Sequence, residues 1–235
     1  MIMKHITVAT YNICHGHYVD LNWDKLAQVI LEADADIVGL QEVDMRTFRV
    51  GGQDSLACLA DATGYLYYLF VPAMDFDGGM YGTAILSRYP MHLPEFASLF
   101  SADCEPRSFG GFRFDLEDGR ECVFLNTHLA YEKASVRLAQ INFLADWIHT
   151  NIEPDTPVIL TGDFNTEEFD QFRGMRRRGM ELLNNEETNI KTFRHSPVAI
   201  DNVLYREKHL TPVEHGMIDS DASDHNLLWC RFKLL

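Results

Sequence analysis

The sequence predicts an α/β (α+β) fold, a four-layer sandwich in which two mixed β-sheets pack face to face with helices outside. Three observations lead there. Short apolar runs of strand length fill both halves of the chain, with helix-period segments interspersed among them. The opening reads β-α-β, whereas a central Asp-Gly joins two apolar-rich runs as an antiparallel hairpin. The composition, 46% hydrophobic and 11% aromatic over 235 residues, supplies enough apolar side chain for a layered core without disulfides or oligomerisation. No repeat, low-complexity tract or linker interrupts the chain, so residues 1–235 are expected to form one domain.

Taken in order, Ile6 to Ile13 reads as a buried strand. Asn22 to Ala33 reads as a helix, with Trp23, Leu26, Ala27, Ile30 and Leu31 at helical spacing. Asp36 to Gln41 is a second buried strand. Asp54 is placed to cap a helix that runs through Ala62 and stops at Gly64. Tyr65 to Val71 and Tyr81 to Ser87 follow as strands around a turn-rich Asp-Phe-Asp-Gly-Gly, where Asp75 and Asp77 are expected to be solvated. Arg107 to Leu116 and Arg120 to Thr127 flank Glu117-Asp118-Gly119 and form the hairpin. Ser135 to His149 is the clearest amphipathic helix, with Val136, Leu138, Ala139, Ile141, Phe143, Leu144, Trp147 and Ile148 as its apolar set. A strand from Pro157 to Thr161, a basic-rich helix from about Glu168 to Arg178, and strands near Ala199 to Tyr205 and Asn226 to Lys233 complete the reading.

Charge narrows the function. Twenty Lys and Arg against 35 Asp and Glu leave a net charge of −15, and a surface of that sign repels polyanions. Long duplex DNA is therefore a poor partner. Part of the acidic excess suits cation binding instead. Five cysteines, Cys14, Cys58, Cys104, Cys122 and Cys230, are odd in number and form no C-x-x-C pair, so they read as reduced and mostly buried. The first residues run straight into a β-like segment, with no membrane-length apolar stretch and no cleavage site. A cytoplasmic location is expected.

Polar groups able to bind metal or move protons recur where apolar strands end, the places where side chains leave the core. Asn12 closes the first strand and Glu42 the second. His128 closes the run Val123-Phe124-Leu125-Asn126, and Asp163 and Asn165 follow a buried strand in Thr-Gly-Asp-Phe-Asn. Asp201 stands in an otherwise apolar run, so it needs a partner; His225, of Ser-Asp-His, or a metal would satisfy it. A carboxylate beside an imidazole fixes its tautomer and raises its basicity, a preparation for proton transfer.

In that order, TYN, LQE, NTHL, TGDFN, IDNVL and SDH resemble the endonuclease/exonuclease/phosphatase superfamily of metal-dependent phosphoesterases, with a deoxyribonuclease-I-like fold. The resemblance spans nearly the whole chain. The strand beginning Tyr81-Gly82-Thr83 is similar to the family's central one, and Arg107 sits where members often carry an arginine. The resemblance implies Glu42 as principal metal ligand, with Asn12 and Asp224 supporting it directly or through water. Oxygen ligands suit Mg²⁺, with Mn²⁺ as a substitute. It implies Asp163 preparing the attacking water, Asn165 holding a phosphate oxygen, and His128 and His225, the latter oriented by Asp201, on the scissile phosphate. Arg107 and Tyr81 are the expected substrate contacts.

The substrate implied is a small phosphodiester or phosphomonoester. Three alternatives stay open: a nuclease on short or single-stranded nucleic acid, a sphingomyelinase-like phospholipase, and a non-catalytic binding protein that keeps the fold. Against the second, no exposed aromatic hairpin or signal sequence is evident. Inositol-polyphosphate phosphatase relatives usually carry Trp before Gly-Asp and a later Cys-Asp-Arg, and this chain has neither. Two local features are weighed as pocket elements: the cluster Arg173, Arg176, Arg177 and Arg178, as a second phosphate site against a solvated helix face, and His15 with His17, as metal or substrate groups. Oligomeric state is left open.

Overall fold

Strands β1 (His5–Asn12) and β2 (Ile37–Met45) run parallel, joined through helix α1 (Trp23–Glu32), so the opening is the expected β-α-β unit. The computed structural model describes residues 5–235; residues 1–4, the start of the segment read as free of a leader, lie outside the described residues. Caps fall where their residue types demand. Asn22 accepts from Lys25 N–H ahead of α1, and Asp54 accepts from Ala57 N–H ahead of α2 (Ser55–Thr63), which ends on Gly64 at φ 75°.

The remaining strands are β3 (Tyr67–Phe76), β4 (Gly79–Ser87), β5 (His92–Leu99), β6 (Arg107–Asp115), β7 (Glu121–His128), β8 (Val158–Asp163), β9 (Met180–Leu182), β10 (Asp201–Arg206), β11 (Leu210–Ile218) and β12 (Leu227–Leu234). Six form one sheet in the order β11-β12-β1-β2-β4-β3, and six the other, β5-β6-β7-β8-β10-β9. Both are mixed, because β1/β2 and β7/β8 are parallel pairs among antiparallel neighbours. Between the sheets lies an apolar layer that includes Ile6, Val8, Ile37 and Ile85 from the first and Phe112, Phe124, Ile159 and Val203 from the second. Helices α1 and α2 cover the outer face of the first sheet; α3 (Ala134–Asn151) and α4 (Arg173–Arg176) cover that of the second. Each fully buried ring or aliphatic chain contributes about 1.5–3 kcal/mol, so three such layers hold the four-layer sandwich without covalent ties. All five cysteines are free.

Several expectations are corrected. The helix expected from Glu168 to Arg178 is a tight turn at Phe169–Phe172 followed by the four-residue α4. Its arginines pair with acids, Arg173 with Asp170, Arg176 with Glu186 and Arg178 with Asp146, so the cluster is a solvated, ion-paired face. The buried face of α3 includes Arg137 and Gln140, while Leu138, Ala139 and Phe143 face solvent. Arg137 Nη1 donates to Ala130 O, and Gln140 bonds Ala130 N–H and Phe100 O; these carbonyls and amides would otherwise be buried unpaired. Strands β5, β9 and β11 were not foreseen. β5 and β11 lie at sheet edges, carry Pro94 and Pro212, and are largely exposed, so no alternation marks them. Exposed aromatic residues do occur on the β3–β4 hairpin, where Tyr68 is half exposed, which removes one ground for setting aside a lipid-directed relative. Asp75 and Asp77 are exposed at its turn, as expected. Among the described residues, no helix is long and apolar enough to cross a membrane.

A buried polar bridge ties the two sheets together beneath the site. Asn126 Nδ2 donates to Leu40 O (2.9 Å) and Ala84 O (3.0 Å), while its Oδ1 accepts from Gln41 Nε2 (2.7 Å) and Thr161 Oγ1 (3.0 Å). The approach is close enough that a Cβ on Gly39 would lie 2.2 Å from Thr161 Oγ1.

Candidate active site

Strand register gathers the polar groups. In the parallel pairs Asn12 stands opposite Gln41 and His128 opposite Asp163, and in the antiparallel pair Asp201 stands opposite Asp163. Glu42 does not end its strand as expected. It lies in a bulge of β2, between Leu40 and Val43, with φ 55°. An extra residue there breaks the in-out alternation and turns the carboxylate toward Asn12. Asn12 spans the sheets: its Nδ2 donates to Glu42 Oε1 and Asp163 Oδ2, both at 3.1 Å, and its Oδ1 accepts from Cys14 N–H at 3.0 Å. With its oxygen engaged by Cys14, Asn12 meets the centre through its amide, orienting two carboxylates.

Asp163 lies at the middle. Its Oδ1 accepts from Asn165 N–H (2.9 Å), in a turn where Asn165 takes φ 52°, and its Oδ2 is 3.5 Å from His128 Nε2 and 3.6 Å from His225 Nε2. His225 Nδ1 donates to Asp201 Oδ2 at 2.8 Å, and the Phe193 ring stands edge-on to the imidazole at 5.0 Å. Arg107 Nη1 is 2.9 Å from His128 Nδ1 and 2.8 Å from Glu105 Oε1. Asn165 Nδ2 donates to Leu129 O and lies 3.1 Å from His128 Nε2. Ser223 Oγ donates to Asn12 O, anchoring the Ser-Asp-His segment beside β1.

The electrostatics separate the two imidazoles. Burial lowers the pKa of His128, the Arg107 guanidinium lowers it further, and the result lies well below the ordinary histidine value. His225 meets burial too, but the Asp201 and Asp163 carboxylates outweigh it and hold the ring up to about 10. Asp163 is pushed above the carboxylate range by burial and then by Asp201. For Glu42 burial opposes the charge, yet His15, His128, Asn12 and His225 together hold it down at about 2. Burial raises both Tyr81 and Glu105, each further opposed to ionisation by the Glu42 charge. At neutral pH the site therefore holds one charged and one neutral imidazole on either side of a basic carboxylate.

These groups open on a cavity of about 530 Å³. Glu42, Tyr81, Arg107, His128, Asp163, Asn165, Asp224 and His225 line it, while Asn12 and Asp201 stand behind Glu42 and His225. All ten residues selected from the sequence thus belong to one neighbourhood. The cavity adds residues the sequence reading gave no role: Arg49, Glu105, Tyr131 and Phe193. Arg49 is fixed by a bidentate pair with buried Asp44 and lies 4.6 Å over the Phe76 ring. Gln41 and Asn126 were also without a role, although a Gln and an Asn closing apolar runs were the visible signal.

The donor set fits a divalent cation, since a carboxylate held ionised at the cavity wall, with a second at Asp224, is what a hard cation requires. The sequence model of the Endonuclease/Exonuclease/phosphatase family matches residues 9–225, and the chain belongs to this family. Its members are hydrolases acting on phosphate esters and are generally dependent on a divalent metal. A UPF0294 protein of Vibrio cholerae serotype O1 is 31% identical over 140 residues, covering 55% of this chain and 46% of the relative, so the match spans about half the length of that curated relative. Among solved structures, an endonuclease/exonuclease/phosphatase from Beutenbergia cavernae superposes with TM-score 0.83 at 19% identity, covering 98% of this chain and 72% of the other. The mannosyl-6-phosphatase of Bacteroides thetaiotaomicron superposes with TM-score 0.72 at 19% identity, covering 98% and 99%.

Proposed function

We propose that the chain hydrolyses a small phosphate ester with a divalent cation, Mg²⁺ or Mn²⁺, held by Glu42 and Asp224. The observation that carries the reading is the placing of Asp163 Oδ2 between His128 Nε2 and His225 Nε2, at 3.5 and 3.6 Å, inside one cavity with Glu42. A carboxylate kept basic by burial accepts a proton from water more readily than an exposed one. Donors face both ring nitrogens of His128, Arg107 Nη1 at Nδ1 (2.9 Å) and Asn165 Nδ2 at Nε2 (3.1 Å), so the ring is held neutral beside the phosphoryl position. His225, charged through Asp201, opposes the negative charge that grows on the phosphoryl group and has a proton for the leaving oxygen. Asn165 and Arg107 add donors. A bound cation would supply Lewis-acid polarisation of the ester.

A small substrate is favoured by the bounded cavity, by Glu105 on its wall and by the overall charge of −15, which disfavour a nucleic-acid track. The mannosyl-6-phosphatase with the same fold adds a sugar phosphate to the candidates.

The test is a panel of aryl phosphate mono- and diesters, sugar phosphates and short oligonucleotides, each with Mg²⁺ or Mn²⁺. Turnover of a small ester, abolished in both Asp163→Asn and His225→Ala proteins that retain wild-type circular dichroism, supports the reading. No turnover on any small ester, or near wild-type rates in either variant, sinks it. Salt-sensitive cleavage confined to oligonucleotides would transfer the assignment to a nuclease.

A further inference from the structure

The turn after β1 brings two softer donors to Glu42. Cys14 and His15 both adopt left-handed backbone, φ 42° and 43°, a conformation costly for residues with a Cβ. It carries His15 Nδ1 to 3.7 Å from Glu42 Oε2, within ion-pair reach but too long for a hydrogen bond, and leaves that nitrogen buried without a hydrogen-bond partner. Cys14 Sγ, a ring nitrogen of His15 and a Glu42 oxygen all lie within 4.8 Å of one another. His15 lines a neighbouring cavity of about 350 Å³ and not the main one, so it meets Glu42 from beside the substrate space. A substrate contact is thereby disfavoured. A shared ion would satisfy the unpaired imidazole and the carboxylate together.

We propose that His15, backed by Cys14, is a ligand of the cation at Glu42, and that this chain selects Mn²⁺ or a later first-row ion over Mg²⁺. The inference rests on the reading that Glu42 holds a cation. Mg²⁺ prefers an all-oxygen shell and retains its waters, whereas imidazole nitrogen and thiol sulfur favour transition ions. A site of carboxylates alone would not discriminate in this way.

The experiment measures binding of Mn²⁺ and Mg²⁺ to metal-free protein by Mn²⁺ paramagnetic resonance and Mg²⁺ competition, for wild type, His15→Asn, His15→Ala and Glu42→Gln. Asn is included because it tolerates the left-handed backbone. Loss of His15 is expected to weaken Mn²⁺ about tenfold or more. Mg²⁺ affinity is expected to hold to within about twofold, as befits an ion that does not seek nitrogen. A nitrogen coupling in the spectrum of Mn²⁺-loaded wild type should be lost in His15→Asn. If Glu42→Gln weakens both ions but the Mn²⁺/Mg²⁺ ratio is unchanged in both His15 variants, the His15 proposal is wrong while the cation reading stands. If Glu42→Gln leaves both affinities intact, the cation reading itself fails and the proposal with it.

Discussion

The guanidinium of Arg107 has no lone pair, so it can only oppose protonation of the imidazole it touches. It stands 2.9 Å from His128 Nδ1, and burial and then this guanidinium hold the ring's pKa well below the ordinary histidine value. Replacing Arg107 by Met should lower kcat by roughly 10²–10³-fold, with the acid limb of the pH–rate profile moving upward as His128 becomes easier to protonate. An unmoved acid limb would contradict this. His225 answers to the opposite influence. Its folded pKa, about 10, is raised above the unfolded value of ~6.5, so its ion pair stabilises fully below that lower value and is lost as pH rises through about 10. In Asp201→Asn the largest raising influence is gone, so the alkaline limb should shift toward neutrality and the stability difference from wild type should be largest below pH ~6.5. Profiles of kcat and urea midpoints across pH check both. Asp163, Asn165 and His225 were legible because Gly-Asp-x-Asn and Asp-His sit at strand ends. Arg49 and Glu105 were not, because nothing in a lone Arg or Glu on a loop says which cavity it will face.

Strand β2 shows how one element serves both packing and chemistry. Gly39 lets Thr161 and Asn126 cross to it, Gln41 bonds Asn126, and the bulge one residue on rotates Glu42 into the cavity. Gly39→Ala would place a methyl 2.2 Å from Thr161 Oγ1, so the sheets must part locally. A loss of about 1–3 kcal/mol in denaturant unfolding is expected, with a larger proportional loss of activity, since the Asn12–Asp163 bond crosses the same interface. Asn126→Leu should cost about 1–3 kcal/mol or more, because two carbonyls and the Gln41 amide lose their partner. An unfolding midpoint equal to wild type in either variant would show the bridge to be dispensable. The apolar run of β2 made the strand visible in the sequence. The bulge was not, for its cause is the β4 register across the sheet, a contact no local pattern encodes. The same holds for α3, whose buried Arg137 and Gln140 are placed by carbonyls and amides of distant segments rather than by helical periodicity.

At the scale of the molecule, charge and topology set the behaviour. A protein of −15 repels an anionic ester, and salt screens that repulsion, so kcat/KM for a small phosphate ester should rise from low to physiological ionic strength. A fall would indicate a locally positive approach path and a polyanionic substrate. The four layers were legible from strand-rich halves with interspersed helices, whereas β5 and β11 were not, because exposure and proline erase the alternation that marks buried strands, and β9, three residues long, is too short to show any. The order of the first sheet has a further effect. β1 lies between β2 and β12, so the first of the described strands takes its second neighbour from the last of them. Until Leu227–Leu234 leave the exit tunnel, a nascent chain keeps one flank of β1 unzipped, and with it Asn12 lacks the Ser223 anchor. Strand β12 must therefore emerge before the candidate cluster can lock, and a chain arrested short of it would present a raw hydrogen-bonding edge to chaperones and proteases.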